Sequence, residues 1–446
     1  MSSKEPVGNN KNAAQKAGAP RVVRIGVLGC GNVGAALVQL IVDRQASIET
    51  RTGVRLEIAK IAVRSKARDR DVVIDPALLT TDAAEVVSDP SIDIVVEAIG
   101  GIEPARGLIT SALRSGKPVV TANKELLANC GNELFAEADA AQVDLLFEAA
   151  VAAGIPLVRP LRESLLGEDI RRVMGIVNGT TNFILSQMSE QHMSYADALS
   201  EAQSLGYAER DPTADVEGYD AGAKAAIIAS IAFGAQVVAG NVYHEGISQI
   251  TPTEIDYAKR LGFVVKLLAI CERFDDESIA VRVHPAMVPV EHPLASVRDS
   301  FNAVFVEGAA VGSLMFFGRG AGGFPTASAV LGDVLDAALN LGQVAHGSVG
   351  KLSPVVIRPI DDLQSAFYIN VEVADQPGVL AAVANVFGTH KVSIRSMEQE
   401  GLGDDARIVF ITHLASEADV QTTLHDLRQL DAVRRVVSVL RVVGAE

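Results

Sequence analysis

Between Gly206 and Lys224 the chain reads GYAERDPTADVEGYDAGAK, which sets Glu209, Asp211, Asp215, Glu217, Asp220 and Lys224 ahead of a strongly apolar run. If a helix begins at Asp220, then Asp220 and Lys224 are neighbours one turn apart. Lys224 then shares a face with Ile227, Ile228 and Ile231, which buries its ammonium in part. Burial lowers a lysine pKa and a nearby carboxylate opposes the change, so the pair can exchange a proton with an alcohol or carbonyl oxygen. An ordinary helix ion pair has the same spacing. A second lysine, Lys124 in VVTANKELLA, follows an extended run at the end where open parallel sheets bind ligands. A loop lysine facing water is the other reading of that position.

These groups need a cofactor or a polarised substrate to act on. Gly29, Gly31 and Gly34 form GxGxxG between an apolar strand and an apolar-periodic helix. In that context Gly29 permits the tight turn, Gly31 lets a pyrophosphate approach, and Gly34 allows helix and strand to pack. The phosphates would sit on the helix N-terminus at Asn32, Val33 and Gly34. The second strand ends Ala62, Val63, Arg64, Ser65, Lys66, with no carboxylate for the ribose hydroxyls. Arg64 and Lys66 suit a 2′-phosphate, so NADP is expected ahead of NAD. Gly100, closing the third strand, would admit the cofactor closely.

The elements that hold these residues follow from hydrophobic pattern. Apolar runs at 56–65, 92–101, 117–127 and 143–154 alternate with helical segments after the first strand, the signature of a Rossmann-type doubly wound parallel sheet over residues 21–150. Residues 151–325 change to helices around 181–240 and then to extended runs, predicting an α+β catalytic and dimerisation domain with a mainly antiparallel sheet. A helix over 326–355 is expected to return to the nucleotide domain, and 356–365 to link. Residues 366–446 read β-α-β-β-α-β, a ferredoxin-like module. Residues 1–20 are polar and read as a flexible tail without a secretory core.

Composition excludes other classes. With 39 basic and 55 acidic residues among 446, the net charge of −16 speaks against a nucleic-acid partner. Cys30, Cys130 and Cys271 are too far apart for a CxxC pair, which fits a reducing, cytoplasmic setting. The uncharged stretch Ala225–His244 contains Ser230, Gly234, Gln236 and Gly240 and reads as a buried core helix, not a membrane span.

GxGxxG, VVTANKELLA, EAAVAAGIP, NGTTNFIL, the Gly206–Lys224 segment and GRGAGGFPTASAV, in this order, resemble the homoserine dehydrogenase family over residues 21–446. The resemblance implies NAD(P)-dependent interconversion of L-homoserine and L-aspartate 4-semialdehyde in threonine, methionine and isoleucine biosynthesis. It implies that Lys224 donates and accepts the proton, with Asp220 orienting it, and that Lys124 lies beside nicotinamide and substrate. Glu209 would hold the substrate amino group, Asp215, Asn178 and Thr180 would line the same cleft, and Gly322 would approach the cofactor. EAAVAAGIP resembles the family's loop for a structural sodium or potassium ion, through Glu148, Val151, Ala153 and Ile155, with carbonyls and a carboxylate as ligands. The C-terminal module resembles an ACT domain, which implies an L-threonine effector near Asp375 and Gly378 in DQPG. A homodimer or homotetramer is the expected assembly. A non-catalytic sensor that kept both binding folds, and a dehydrogenase for another short hydroxy amino acid, are the competing readings.

Overall fold

The computed structural model describes residues 19–67, 72–343 and 347–444; the tail assigned to residues 1–20 thus lies outside them save for its last two positions. The nucleotide domain runs β1 (Arg21–Leu28), α1 (Asn32–Thr52), β2 (Val54–Ala62), β3 (Leu79–Thr80), α2 (Ala83–Ser88), β4 (Ile94–Glu97), α3 (Ala105–Arg114), β5 (Val119–Thr121), α4 (Lys124–Ala141) and β6 (Leu145–Leu146). All neighbours in the order β3-β2-β1-β4-β5-β6 are parallel. The order reverses between β1 and β4, which opens a crevice at the carboxyl ends of these two strands. Strands sandwiched between helical layers need apolar residues on both faces, and Ile94, Val95 and Val96 of β4 are all fully buried.

The catalytic domain contains β7 (Ile170–Ile176), α5 (Gly179–Gln191), α6 (Tyr195–Ser204), α7 (Thr213–Val216), α8 (Tyr219–Phe233), β8 (Tyr243–His244), α9 (Pro252–Arg260), β9 (Phe263–Arg273), β10 (Ile279–Pro289), β11 (Phe301–Gly308) and β12 (Gly312–Arg319). The core helix read across Ala225–His244 is α8, and it is shorter than that span. It stops at Phe233 because Gly234 takes φ 61° and its amide closes onto the Ser230 carbonyl. The following residues run extended along a later segment, with the Gln236 amide bonded to the Ser353 carbonyl. Among the described residues no helix is long and apolar enough to cross a membrane.

After β12 the chain enters α10 (Gly323–Asn340), which packs along α1 and joins the core of the nucleotide domain through Ala327, Val330, Val334 and Ala337. The last module contains β13 (Gln364–Ala374), α11 (Val379–Thr389), β14 (Ile394–Leu402), β15 (Asp405–Thr412), β16 (Ala415–Ser416), α12 (Glu417–Gln429) and β17 (Val433–Val442). Its sheet is not separate. One path runs β12-β11-β7-β9-β10-β17-β13-β15-β14, antiparallel throughout except where β10 meets β17. That junction is short and parallel, with Ala286 opposite Arg441 and Met287 opposite Val442.

Candidate active site

The crevice is shaped by glycine at each point where the chain has no room. Gly29 lies at φ 97°, and a side chain there would come within 2.6 Å of the Ala98 carbonyl. A Cβ at Gly34 would lie 2.3 Å from the Gly29 carbonyl, whereas one at Gly31 would meet nothing within 4 Å. Gly31 caps α1 without a side-chain bond, so the first amides of the helix, from Asn32, Val33 and Gly34, face the open space. Gly29, Cys30, Gly31, Arg64, Ala98 and Ile99 are among the residues lining this cleft. Lys66 is exposed just beyond that lining. Gly322, at φ 123°, caps α10, and its neighbour Gly323 abuts the Asn32 carbonyl, so the returning helix begins beside the glycine turn. Gly34→Ala should therefore weaken dinucleotide binding by at least about tenfold, as read by quenching or enhancement of reduced-cofactor fluorescence. Unchanged affinity would show that the turn does not hold the phosphates.

Sequence reading passed over Glu97 and Asn123, which fix the loop around Gly100. Glu97 closes β4 and is fully buried. One of its oxygens accepts from the amides of Ile99 at 2.7 Å and Gly100 at 3.0 Å, and the other from the Thr121 hydroxyl at 2.5 Å. Asn123 caps α4 through the Leu126 amide and donates to the Gly101 carbonyl at 2.6 Å. A carboxylate ending an apolar strand, three residues ahead of a glycine pair, was the available signal.

Lys124 is the first residue of α4, and Asp220 the second of α8, so two helices from different domains meet at their N-termini. Asp220 is buried and bridges two lysines, with Lys124 Nζ 2.6 Å from Oδ1 and Lys224 Nζ 2.6 Å from Oδ2. Lys224 also donates to the Val177 carbonyl at 2.6 Å. Asn178 caps α5 through the Thr181 amide and donates to Asp215 Oδ1 at 2.7 Å and Asp220 Oδ2 at 2.9 Å. Burial by itself would raise the Asp220 carboxyl, but Lys224 and Lys124 hold it well below its usual range. For Lys124 burial works against the charge, yet Asp220 more than compensates and its pKa is raised. Asp215, half-buried, is pushed above the usual carboxylate range by burial, in spite of its bond from Asn178.

Of the remaining substrate candidates, Thr180 donates to the Tyr207 carbonyl at 2.7 Å and so pins the loop that follows. Glu209 lies exposed on that loop, outside the hydrogen-bonded group of Lys124, Asn178, Asp215, Asp220 and Lys224. The loop from Glu148 to Ile155 is buried except at Gly154 and is contorted, with Ala152 at φ 54° and Ala153 at φ 39°. The carbonyls of Val151, Ala153 and Ile155 accept no hydrogen bond among the described residues. The Glu148 carboxylate accepts from the amides of Leu157, Val158 and Arg159 at 2.5, 2.8 and 2.8 Å, and so it organises the chain there. In the C-terminal module Gly378, at φ 91°, caps α11, and Asp375 stands exposed in the turn before it.

A parallel dinucleotide-binding sheet whose crevice faces a buried lysine and carboxylate pair defines a nicotinamide-dependent dehydrogenase. Residues 156–335 match the family described as homoserine dehydrogenase, 29–148 its NAD-binding domain, and 367–432 the ACT domain. The homoserine dehydrogenase of Mycobacterium tuberculosis is 49% identical over 438 residues, covering 96% of this chain and 99% of its own. That of Corynebacterium glutamicum is 49% identical over 426 residues, covering 94% and 95%. Among solved structures, a homoserine dehydrogenase from Thiobacillus denitrificans superposes with a TM-score of 0.89 at 39% identity, covering 96% of this chain and all of that one. A hyperthermophilic archaeal homoserine dehydrogenase in complex with NADPH gives 0.60 at 29% identity, over 72% and 98%. The chain belongs to the homoserine dehydrogenase family, oxidoreductases that act on a CH–OH group with a nicotinamide cofactor.

Proposed function

We propose that the chain interconverts L-homoserine and L-aspartate 4-semialdehyde with NADP as the preferred cofactor, under feedback from L-threonine bound by the ACT module. The observation that carries the catalytic part is the bridge Lys124–Asp220–Lys224 below the loop at Gly100. When bound, the nicotinamide supplies the acceptor for the hydride leaving C4 of the alcohol. Lys224 has three positions on its nitrogen, and Asp220 and the Val177 carbonyl occupy two. The third is left for the substrate oxygen, where Lys224 takes the hydroxyl proton in oxidation and returns it in reduction. Lys124, about half-exposed, keeps a positive charge next to the oxygen as it becomes alkoxide-like. Asn178 holds Asp215 and Asp220 apart at fixed positions, and Asp215 lines the substrate side with Thr180. Glu209, on a solvent-facing loop, can meet the substrate amino group only as that loop folds over the site.

Arg64 supports the choice of NADP, as it lines the cleft where the adenosine ribose would lie and no carboxylate is among the described residues that line it. Arg64→Asp should shift the kcat/KM ratio from NADP towards NAD by roughly tenfold or more, since it replaces attraction with repulsion at the 2′-phosphate. An unchanged ratio would mean that the phosphate is read elsewhere. The buried carbonyls of Val151, Ala153 and Ile155 fit a sodium or potassium ion, a structural role that would replace the missing hydrogen bonds. Three cysteines too far apart in sequence for a CxxC pair fit a cytoplasmic location, and the exposed Met315 and Phe317 of β12 fit a homodimer or homotetramer. The place of the reaction would be the branch of amino-acid biosynthesis that leads to threonine, methionine and isoleucine.

The test is reduction of NADP and, separately, NAD by L-homoserine, with and without L-threonine, in sodium, potassium and choline salts. Faster turnover with NADP, threonine inhibition, and dependence on the small cation would each support one element of this reading. Threonine insensitivity would remove the regulatory element.

A further inference from the structure

The C-terminal module does more than abut the catalytic domain at β10. Arg441, on β17, is 7% exposed and makes a two-pronged bond to Glu245, with Nη1 and Nη2 each 3.0 Å from a carboxylate oxygen. Its Nε donates to Glu417, the first residue of α12, which is itself buried. One guanidinium thus ties the ACT module to a loop of the catalytic domain. Burial works against the charge on Glu245, and Arg441 more than offsets it, holding that carboxyl below its usual range.

Glu245 follows β8, and the next residues press on the segment that carries the reactive carboxylates. Gly246 has no space for a side chain, since a Cβ would sit 2.4 Å from the Val216 carbonyl and 2.7 Å from Glu217 Cα. The Ile247 amide bonds to the Val216 carbonyl at 2.8 Å. Gly218, the left-handed cap of α8, faces the Glu245 carbonyl, and the His244 ring packs tilted against Tyr219 with centroids 4.3 Å apart. Val216 directly follows Asp215, and Tyr219 directly precedes Asp220. The 243–247 loop is therefore the floor on which both carboxylates are placed, and its far side is gripped by Arg441.

We propose that Arg441, acting through Glu245, is a positioning residue for the dehydrogenase reaction, by which the ACT module sets the placement of Asp215 and the Asp220–Lys224 pair. Packed contacts of this kind transmit a displacement because each neighbour has no free volume to absorb it.

The full-length protein carrying Glu245→Gln, Arg441→Gln, Arg441→Lys or Glu417→Gln tests this. Glu245→Gln is the mild variant, because Glu245 is partly exposed and the substitution keeps its shape. It and Arg441→Gln should lower kcat for homoserine oxidation on the order of tenfold, with the dissociation constant of reduced cofactor unchanged. Arg441→Lys should recover part of the loss, and the Glu245→Gln, Arg441→Gln double variant should be no worse than the poorer single one. Glu417→Gln, which breaks only the arm inside the ACT module, should leave kcat near wild type. Amide exchange should rise over residues 216–224 and 243–247 and stay level elsewhere in the catalytic domain. Unchanged kcat and exchange in Glu245→Gln, additive losses in the double variant, or exchange raised evenly through the protein would each overturn the proposal and leave Arg441 a simple structural tie.

Discussion

Lys224→Ala should lower kcat by about 10²–10⁴-fold, the range that a positioned general acid and base contributes. The loss has a geometric cause. Lys224 is 8% exposed and fixed by Asp220 and the Val177 carbonyl, so water entering the space left by its side chain would lack that fixed placement. Cofactor affinity should be retained, because the glycine turn and Arg64 line a separate cleft that Lys224 does not enter. Stopped-flow measurement of hydride transfer alongside cofactor titration separates the two quantities. Turnover within a few-fold of wild type would remove Lys224 as the proton carrier and move attention to Lys124, which reaches the same carboxylate from the other side.

Asp220→Asn is the second large effect, and it reaches stability as well as rate. The carboxylate balances two ammonium groups, and removal of one partner from a buried charge pair costs about 3–5 kcal/mol. The exposure of Lys124 places this case at the lower end of that range. The folded pKa of Asp220 lies below its reference value of 3.8. The stabilisation is thus fully present above that reference value and fades as pH falls through the folded one. Thermal melts of the variant should accordingly fall below wild type at neutral pH, with the gap closing on strong acidification. A constant gap at all pH values would show that the charge of Asp220 is not what stabilises the fold. Without Asp220, burial of Lys124 is opposed only by the weaker pull of Asp215 and Glu125, so the ammonium that supports the substrate oxygen loses its proton at lower pH. The upper limb of the rate profile should move down accordingly.

What could be read from the residues depended on how far apart the interacting groups lie along the chain. The three glycines of the turn and the Asp220–Lys224 pair are local devices, and a strand, a turn or one helical step is enough to foresee their geometry. The Lys124–Asp220 contact is different, as it exists only because α4 and α8 of separate domains point their N-termini at one another. β7 escaped notice for a related reason. Its sequence IRRVMGI carries two arginines and finds its partners only in β9 and β11, far downstream. The fusion of the ACT sheet with the catalytic sheet rests on two residue pairs at Ala286 and Met287, which leave no periodicity to detect. A module that reads as a separable appendage is therefore joined by its edge. Glu148 shows the same dependence on separation, since the amides from which its carboxylate accepts lie 9 to 11 residues further along the chain.

Helix α10 gives the nucleotide domain a layer that the ribosome delivers late. Its residues Ala327, Val330, Val334 and Ala337 complete the apolar cluster around β1 and α1, yet they are made only after the whole of the catalytic sheet through β12. During synthesis the first strands and the glycine turn emerge with one side of α1 uncovered, and they stay so until Asn340 is free of the exit tunnel. The amino-terminal unit therefore receives its last apolar layer from a helix that is made after the strands of the catalytic domain.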